Sequence, residues 1–368
     1  MTTGFFWDER TFWHAGGNYA FTLPLGGLVQ PLAAGGLPES PETKRRFRNL
    51  MEVTGITRDL DMRSADMASR TELERVHPAR YLDAFKALSD QGGGEIGHHA
   101  PFAQGGYEIA ALSAGLSTAA VRAVATGELT NAYALSRPPG HHCEPEDAKG
   151  FCLMANIAIA LEAAFAEGHI KRAVVLDWDV HHGNGTERIF YDRDDVLTIS
   201  LHQETNYPLD TGHLADRGAG KGKGYNINLP LPPGVGHEGY LHALEAVIPH
   251  IEAFKPDLIA VACGYDAACP DPLCSMLATA DTFRQMTRRI REVAEAQCGG
   301  KLVMSHEGGY SEIYVPFCGH AVLEALSDSK ITAEDPLAEV FRIRQPNDRV
   351  TAFHKELIDE MAQTLEST

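Results

Sequence analysis

Positive charge is in short supply in this chain: 32 lysines and arginines stand against 50 aspartates and glutamates, a net charge of −18. Such a balance offers no basic surface for a nucleic-acid backbone, so nucleic acid is excluded as a general partner, while a cationic substrate stays compatible. No uninterrupted apolar run approaches the roughly 18 residues of a membrane span, so no membrane partner is expected. The opening residues, MTTGFFWDERTFW, lack a basic stretch followed by an apolar core, so no secretory leader is expected. Cysteine pairs at CxxC spacing are also missing. Cys269 and Cys274 stand too far apart for a zinc knuckle. The seven cysteines are an odd set lying largely within apolar runs, read as reduced thiols of a cytoplasmic protein. There is no internal repeat and no low-complexity tract. The glycines at 92–94 follow no strand and match neither a dinucleotide nor a P-loop fingerprint, so a plain loop is expected there.

What remains is an ordinary globular composition, 44% hydrophobic and 22% charged, over 368 residues, enough to bury a large core. From residue 104 onward, helical periodicity at 106–126, 156–166, 238–254 and 280–296 alternates with apolar runs at 131–135, 172–176, 196–201, 258–262 and 301–305. Continuous rather than alternating apolar strands mark a parallel sheet covered on both faces, and the βα order predicts an α/β fold. We read residues 1–368 as one domain. Residues 15–41, rich in glycine and proline with apolar patches, form a lid, an oligomer contact or an irregular loop. Ser40 is the expected cap of a helix beginning at Pro41, and about 335–368 reads as helical packing.

In parallel α/β sheets, ligands bind beyond the carboxyl ends of the strands. Four strand ends here deliver titratable groups on glycine-flanked loops: His141 and His142, then Asp177, Asp179, His181 and His182, then Asp266, then Tyr310. If the chain stays extended past Leu176, Asp177, Asp179 and His181 share one face and His182 turns away. Asp179, His181 and Asp266 make a three-ligand set with open positions, suited to Zn, and also to Fe(II), Co or Mn. A cation there acidifies water and polarises a carbonyl. Asp177 is placed behind an active-site imidazole, and the tandem His141-His142 suits a general acid/base pair. The phenol of Tyr310 suits oxyanion stabilisation.

RPPGHH (137–142), GFC (150–152), DWDVHHGNGT (177–186), SLH (200–202), GYDA (264–267), DPL (271–273) and EGGY (307–310), in that order, resemble the histone deacetylase superfamily. The chain looks like its bacterial class II-like branch, the histone deacetylase-like amidohydrolases related to acetylpolyamine amidohydrolases. The resemblance runs from about 40 to 325 and extends upstream through His77-Pro78 and Tyr81-Leu82. It implies an arginase-deacetylase fold with a central parallel sheet of about eight strands and one zinc on Asp179, His181 and Asp266. It further implies dyads of His141 with Asp177 and His142 with Asn184. Asn184, where class I-like members carry aspartate, leaves His142 the less basic imidazole and the general base. Tyr310 would polarise the amide carbonyl. Gly150, Phe151 and Tyr207 would line a tunnel for a lysine-like chain. Two monovalent-cation sites, for K+ or Na+, are implied: Asp177, Asp179, His181, Ser200 and Leu201 at one, Phe190, Arg193, Val196 and Tyr225 at the other. A homo-oligomer is expected. Lys149 and Tyr207 depart from the family's usual residues and bear on substrate choice at the tunnel mouth.

The implied activity is zinc-dependent removal of an acyl group from acyl-lysine or a related N-acyl amine. The competing readings are an acetylpolyamine amidohydrolase, with Glu95 as the one candidate acid at the mouth, a binuclear manganese ureohydrolase, and a non-catalytic acyl-lysine binding module.

Overall fold

A computed structural model describes residues 2–29 and 35–366. Part of the 15–41 segment, residues 30–34, therefore lies outside the described residues. Eight strands form one parallel sheet: β1 Thr3–Phe6, β2 Leu60–Arg63, β3 Asn131–Ala134, β4 Ala173–Asp177, β5 Val196–Gln203, β6 Asn226–Leu231, β7 Leu258–Cys263 and β8 Leu302–His306. Their order is β6-β5-β4-β7-β8-β3-β1-β2. The chain runs outward from β4 through β5 to β6, then returns to lay β7 on the other side of β4. The gap between β4 and β7 is thus a point where the winding reverses, which is where such sheets open a crevice.

Both faces are covered, and β4 shows why its sequence is apolar throughout. Val174 and Leu176 belong to one hydrophobic cluster, Ala173 and Val175 to the other. The first cluster takes in α1 (Glu42–Thr54), and the second α2 (Gly106–Ala125) and α3 (Asn156–Ala166), which pack on each other. Beyond β4 the chain continues with α4 (Asn184–Phe190), α5 (His237–Phe254), α6 (Ala280–Cys298), α7 (Val315–Ser327) and α8 (Asp348–Glu366). Of these, α5, α6, α7 and α8 complete the first cluster, and α7 packs on α1 and α6. By length and composition α2 matches a membrane span, but most of it is buried in the second cluster.

Two local expectations are corrected. The helix after Ser40 begins at Glu42, one residue later than read; Ser40 Oγ accepts from Glu42 N at 3.1 Å, and Pro41 holds the entry. The glycines at 92–94 are not a plain loop: Gly93–Glu95 pairs antiparallel with Pro101–Ala103. A Cβ at Gly93 would lie 2.2 Å from Phe102 O, so glycine permits the close strand approach. All seven cysteines are free thiols.

Candidate active site

Sheet register brings four loops together. Asp177 pairs in register with Ala262 of β7 and Ser200 of β5, Cys263 pairs with His306, and Ser305 with Ala134. The segments after β3, β4, β7 and β8 therefore leave the sheet at one level, straddling the reversal between β4 and β7. The strand itself stops at Asp177, contrary to the extended continuation expected from the sequence. Turn hydrogen bonds do the convergence instead: Asp177 Oδ1 accepts from Asp179 N at 3.0 Å, and Asp179 Oδ1 accepts from His181 N at 3.0 Å.

Asp179, His181 and Asp266 meet there, with one candidate ligand atom from each lying within 4.8 Å of the others. His181 Nδ1 is 3.1 Å from Asp179 Oδ1 and 3.2 Å from Asp266 Oδ2. The outer oxygens are tied back: Asp179 Oδ2 accepts from Gly308 N at 2.8 Å and Asp266 Oδ1 from Val180 N at 2.8 Å. Asp266 Oδ2 is buried and accepts no hydrogen bond. An orphaned carboxylate oxygen beside a second carboxylate and an imidazole is the donor set a divalent cation completes, so the residues fit such an ion. The electrostatics agree. Burial disfavours the His181 imidazolium, yet the carboxylates of Asp266 and Asp179 override it and push His181 up to about 10. Burial, then the Asp179 carboxylate, lifts Asp266 to about 6. The cage draws positive charge. Glycines make it possible: a Cβ at Gly308 would lie 2.0 Å from Asp266 Oδ2, and one at Gly264 would lie 2.1 Å from Asp179 Oδ2.

Two imidazoles stand beside this cage with opposite electrostatics. His141 Nδ1 lies 2.9 Å from Asp177 Oδ2, and His142 Nδ1 2.8 Å from Asn184 Oδ1. Burial opposes charge on both. At His141 the Asp179 and Asp177 carboxylates outweigh it and raise the ring to about 10. At His142 burial and the cations of His141 and His181 push the ring well below its ordinary value. His142 is thus neutral with its Nδ1–H spent on Asn184, which leaves a lone pair on Nε2. The backbone of the pair is pinned from two sides. Glu307 Oε2 accepts from Gly140 N at 2.7 Å and His141 N at 3.1 Å, while His141 O accepts from Gly185 N and Thr186 N at the start of α4.

A cavity of about 160 Å³ opens onto these groups, lined by Gly150, Phe151, Tyr207, His99, Leu273 and Tyr310 among others. Tyr207 packs edge-on to His142 at 5.1 Å, and Phe151 edge-on to Tyr310 at 5.8 Å. A Cβ at Gly150 would strike His142 Cδ2 at 2.4 Å, so this glycine lets the tunnel wall touch the imidazole. Burial, then the Asp266 and Asp179 carboxylates, hold the Tyr310 phenol well above its ordinary pKa, so it stays a donor. Thr22 of the 15–41 segment also reaches the cavity rim.

A model of the histone deacetylase domain matches residues 37–326. The chain belongs to the histone deacetylase family. The histone deacetylase-like amidohydrolase of Pseudomonas aeruginosa is 54% identical over 361 residues, covering 98% of this chain and 95% of that protein. Histone deacetylase 8 of Arabidopsis thaliana is 35% identical over 313 residues, 82% of this chain and 83% of its own. Among solved structures, the HDA15 HD domain superposes with a TM-score of 0.79 at 30% identity, covering 100% of this chain and 99% of that one. A hydrolase of the deacetylase and amidohydrolase class, on an eight-stranded parallel α/β fold, follows from these matches.

Other residues singled out in the sequence have clear places. His182 is buried against Thr211 Oγ1 (3.0 Å) and Glu187 Oε2 (3.2 Å), away from the cavity. Ser200 and Leu201 run along β5 beside Asp177, and the Ser200 hydroxyl pairs with His202 Nδ1 at 2.9 Å. Around the second implied cation position, Arg193 N donates to Phe190 O at 3.1 Å, Val196 opens β5, and Tyr225 O accepts from Thr198 N at 3.0 Å. The Arg193 guanidinium is turned to Glu162 and Asp195. Lys149 does not line the cavity; its ammonium pairs with Glu144 and Asp147. Glu95 spends Oε1 on Ala100 N at 3.1 Å and does not line the cavity. Three carboxylates absent from the sequence reading do bear on the site: Glu307, Glu144 and Asp271, whose Oδ2 accepts from Tyr310 N at 2.7 Å and Oδ1 from Leu273 N at 2.9 Å. Asp271 and Glu307 lie within the DPL and EGGY motifs and Glu144 stands two residues after His142, but nothing in those stretches marks a carboxylate as an acceptor for distant N–H groups.

Proposed function

We propose that this amidohydrolase removes acyl groups from acyl-lysine side chains, using a divalent cation, zinc by preference with Fe(II) an alternative, held by Asp179, His181 and Asp266. The observation that carries the reading is the orphaned Asp266 Oδ2 in a cage flanked by a neutral imidazole, His142, and a protonated phenol, Tyr310, at the floor of a narrow aromatic cavity. Bound there, the cation supplies Lewis acidity toward a carbonyl oxygen and acidifies water. His142 Nε2 accepts the proton of the attacking water. The Tyr310 hydroxyl donates to the carbonyl oxygen as negative charge grows on it. His141, kept charged by Asp177 and Asp179, steadies the tetrahedral anion and has a proton to give toward the departing amine. Phe151 and Tyr207 hold the alkyl chain and exclude water, and Gly150 brings the backbone close to it.

The cavity favours acyl-lysine over acetylpolyamine. Its described lining residues include no carboxylate to receive a distal ammonium. Treatment with a chelator should abolish hydrolysis of acetyl-lysine peptides, and zinc or Fe(II) should restore it. A panel of acetyl-lysine peptides, acetylputrescine and acetylspermidine then ranks the substrates. A preference for the polyamines overturns the acyl-lysine assignment; full activity in metal-free protein overturns the cation. The two backbone sites for K+ or Na+ belong to the same proposal and are tested by activity after exchange into a choline buffer. We also place the chain in the cytoplasm as a homo-oligomer, with exposed Leu23 and Leu28 in the contact; light scattering reads its mass.

A further inference from the structure

The sequence between the His141-His142 pair and Gly150 carries a device that the hydrolytic steps do not use. The Asn184 side chain stands between His142 and Glu144, and its Nδ2 also lies 3.4 Å from His142 O. Its Oδ1 faces His142 Nδ1 at 2.8 Å, and its Nδ2 faces Glu144 Oε1 at 3.0 Å. Lys149 Nζ lies on that same Glu144 oxygen and 3.1 Å from Asp147 Oδ2. Backbone bonds fix the loop that carries these groups: Glu144 N donates to Asp147 O at 3.0 Å, and Cys152 N to Lys149 O at 2.8 Å. At the other end, a Cβ at Gly185 would lie 2.4 Å from Cys143 O, so the start of α4 sits hard against the same loop.

An ionised carboxylate only accepts, and an amide has one accepting and one donating end. Glu144, at the shorter of the two contacts made by Nδ2 and as the charged acceptor, therefore draws the Asn184 NH₂, which sends Oδ1 toward His142. An accepting Oδ1 in turn requires Nδ1 of His142 to carry the ring proton, leaving Nε2 bare on the cavity side. Lys149 is close enough to neutralise Glu144, so the carboxylate sets the orientation without a net negative charge beside the imidazole. We propose that Glu144, steadied by Lys149, is the positioning residue that fixes the His142 tautomer through Asn184, and that it makes asparagine obligatory at position 184. An aspartate there would set two carboxylates about 3 Å apart, where both cannot stay ionised.

The proposal rests on the deacylase reading for its kinetic test, and on nothing but geometry for its spectroscopic one. Four enzymes are compared at neutral pH on an acetyl-lysine peptide: wild type, Asn184→Asp, Glu144→Gln and the double variant. Asn184→Asp is expected to lose about 30-fold in kcat with KM within about threefold, as for loss of an orienting partner. Glu144→Gln alone stays within about threefold of wild-type kcat, because its Oε1 can accept from both Asn184 Nδ2 and Lys149 Nζ as the carboxylate oxygen does. In the double variant the amide introduced at position 144 donates to the carboxylate introduced at position 184, and kcat recovers at least about tenfold over Asn184→Asp, a coupling between neighbours rather than additive damage. Losses that simply multiply overturn the proposal. Melting temperature and bound metal are recorded for each variant, so misfolding is recognised as such. Histidine ¹⁵N shifts read the tautomer directly. Wild type should show His142 protonated at Nδ1, and Glu144→Ala should mix the two tautomers; an unchanged pure Nδ1–H form in Glu144→Ala overturns the proposal even if no substrate is turned over. An inactive wild type would instead strike the deacylase reading and leave the tautomer test standing.

Discussion

Replacing Tyr310 by phenylalanine removes one hydroxyl and almost nothing else. The ring is held by its backbone, since Tyr310 N donates to Asp271 Oδ2 at 2.7 Å, and by edge contacts to Phe151 at 5.8 Å and His181 at 6.4 Å. No described residue hydrogen-bonds the phenol oxygen, so the change leaves no protein group stranded. The donor is lost only where substrate charge develops. Removing one such donor costs about 3 kcal/mol of transition-state stabilisation, or roughly 10²–10³ in rate. Because the hydroxyl matters little to the resting carbonyl, the loss should fall on kcat, with KM moving by no more than about threefold. Steady-state kinetics of Tyr310→Phe on an acetyl-lysine peptide, with bound metal and melting temperature unchanged, is the assay. A kcat within about threefold of wild type would refute the oxyanion role.

Three further outcomes follow from the geometry. Gly308→Ala drives a Cβ to 2.0 Å from Asp266 Oδ2 and 2.7 Å from Asp179 Oδ2, so divalent-cation affinity should fall at least about 100-fold in a chelator competition; wild-type affinity would mean the cage lies elsewhere. Asp271→Asn replaces one of two accepting oxygens by a donor facing either Tyr310 N or Leu273 N, and should lower kcat by about tenfold unless Tyr310 is already phenylalanine, when the loss should largely vanish. His77 donates from Nδ1 to Pro145 O at 2.9 Å and accepts Ala155 N at Nε2 at 3.0 Å, tying down the segment after His142. Burial lowers it to about 4, so the unfolded chain binds the proton first as pH falls. Its contribution is whole above the unfolded value near 6.5 and is lost between about 6.5 and 4, up to about 3 kcal/mol. The stability gap between wild type and His77→Gln, read from urea midpoints, should shrink across that window; a gap that widens toward acid contradicts this.

The inner sheet was legible because β3, β4, β5, β7 and β8 are apolar on both faces, and such runs admit few other readings. The missed strands lie toward the sheet's ends. β1 is four residues long; β2, LDMR, is polar because one side meets solvent; β6, NINLPL, carries Pro230, which only an edge strand tolerates. In the site, side chains whose own chemistry is distinctive were readable from type and position. Asp271, Glu307 and Glu144 were not, because each acts by receiving backbone or amide N–H groups from segments distant in sequence, and no spacing announces such a bond. The turn that carries His181 past the end of β4 escaped for another reason: its bonds run to carboxylates only two residues back, inside a run whose apolar start reads as continuing strand.

The chain's opening strand has consequences for its assembly. Thr3–Phe6 lies between Asn131–Ala134 and Leu60–Arg63, in register with both. Until about residue 134 has left the ribosome, the first residues have at most one neighbour to pair with, and the sheet cannot close around them. Among the described residues, the same threading ties β2 to the rest of the sheet solely through β1. Trimming six residues from the start would leave two separated strand edges, each with bare amides and carbonyls, close to the wall that carries RPPGHH. Thr3–Phe6 is a keystone, made before both of its neighbours and locked in place only after them.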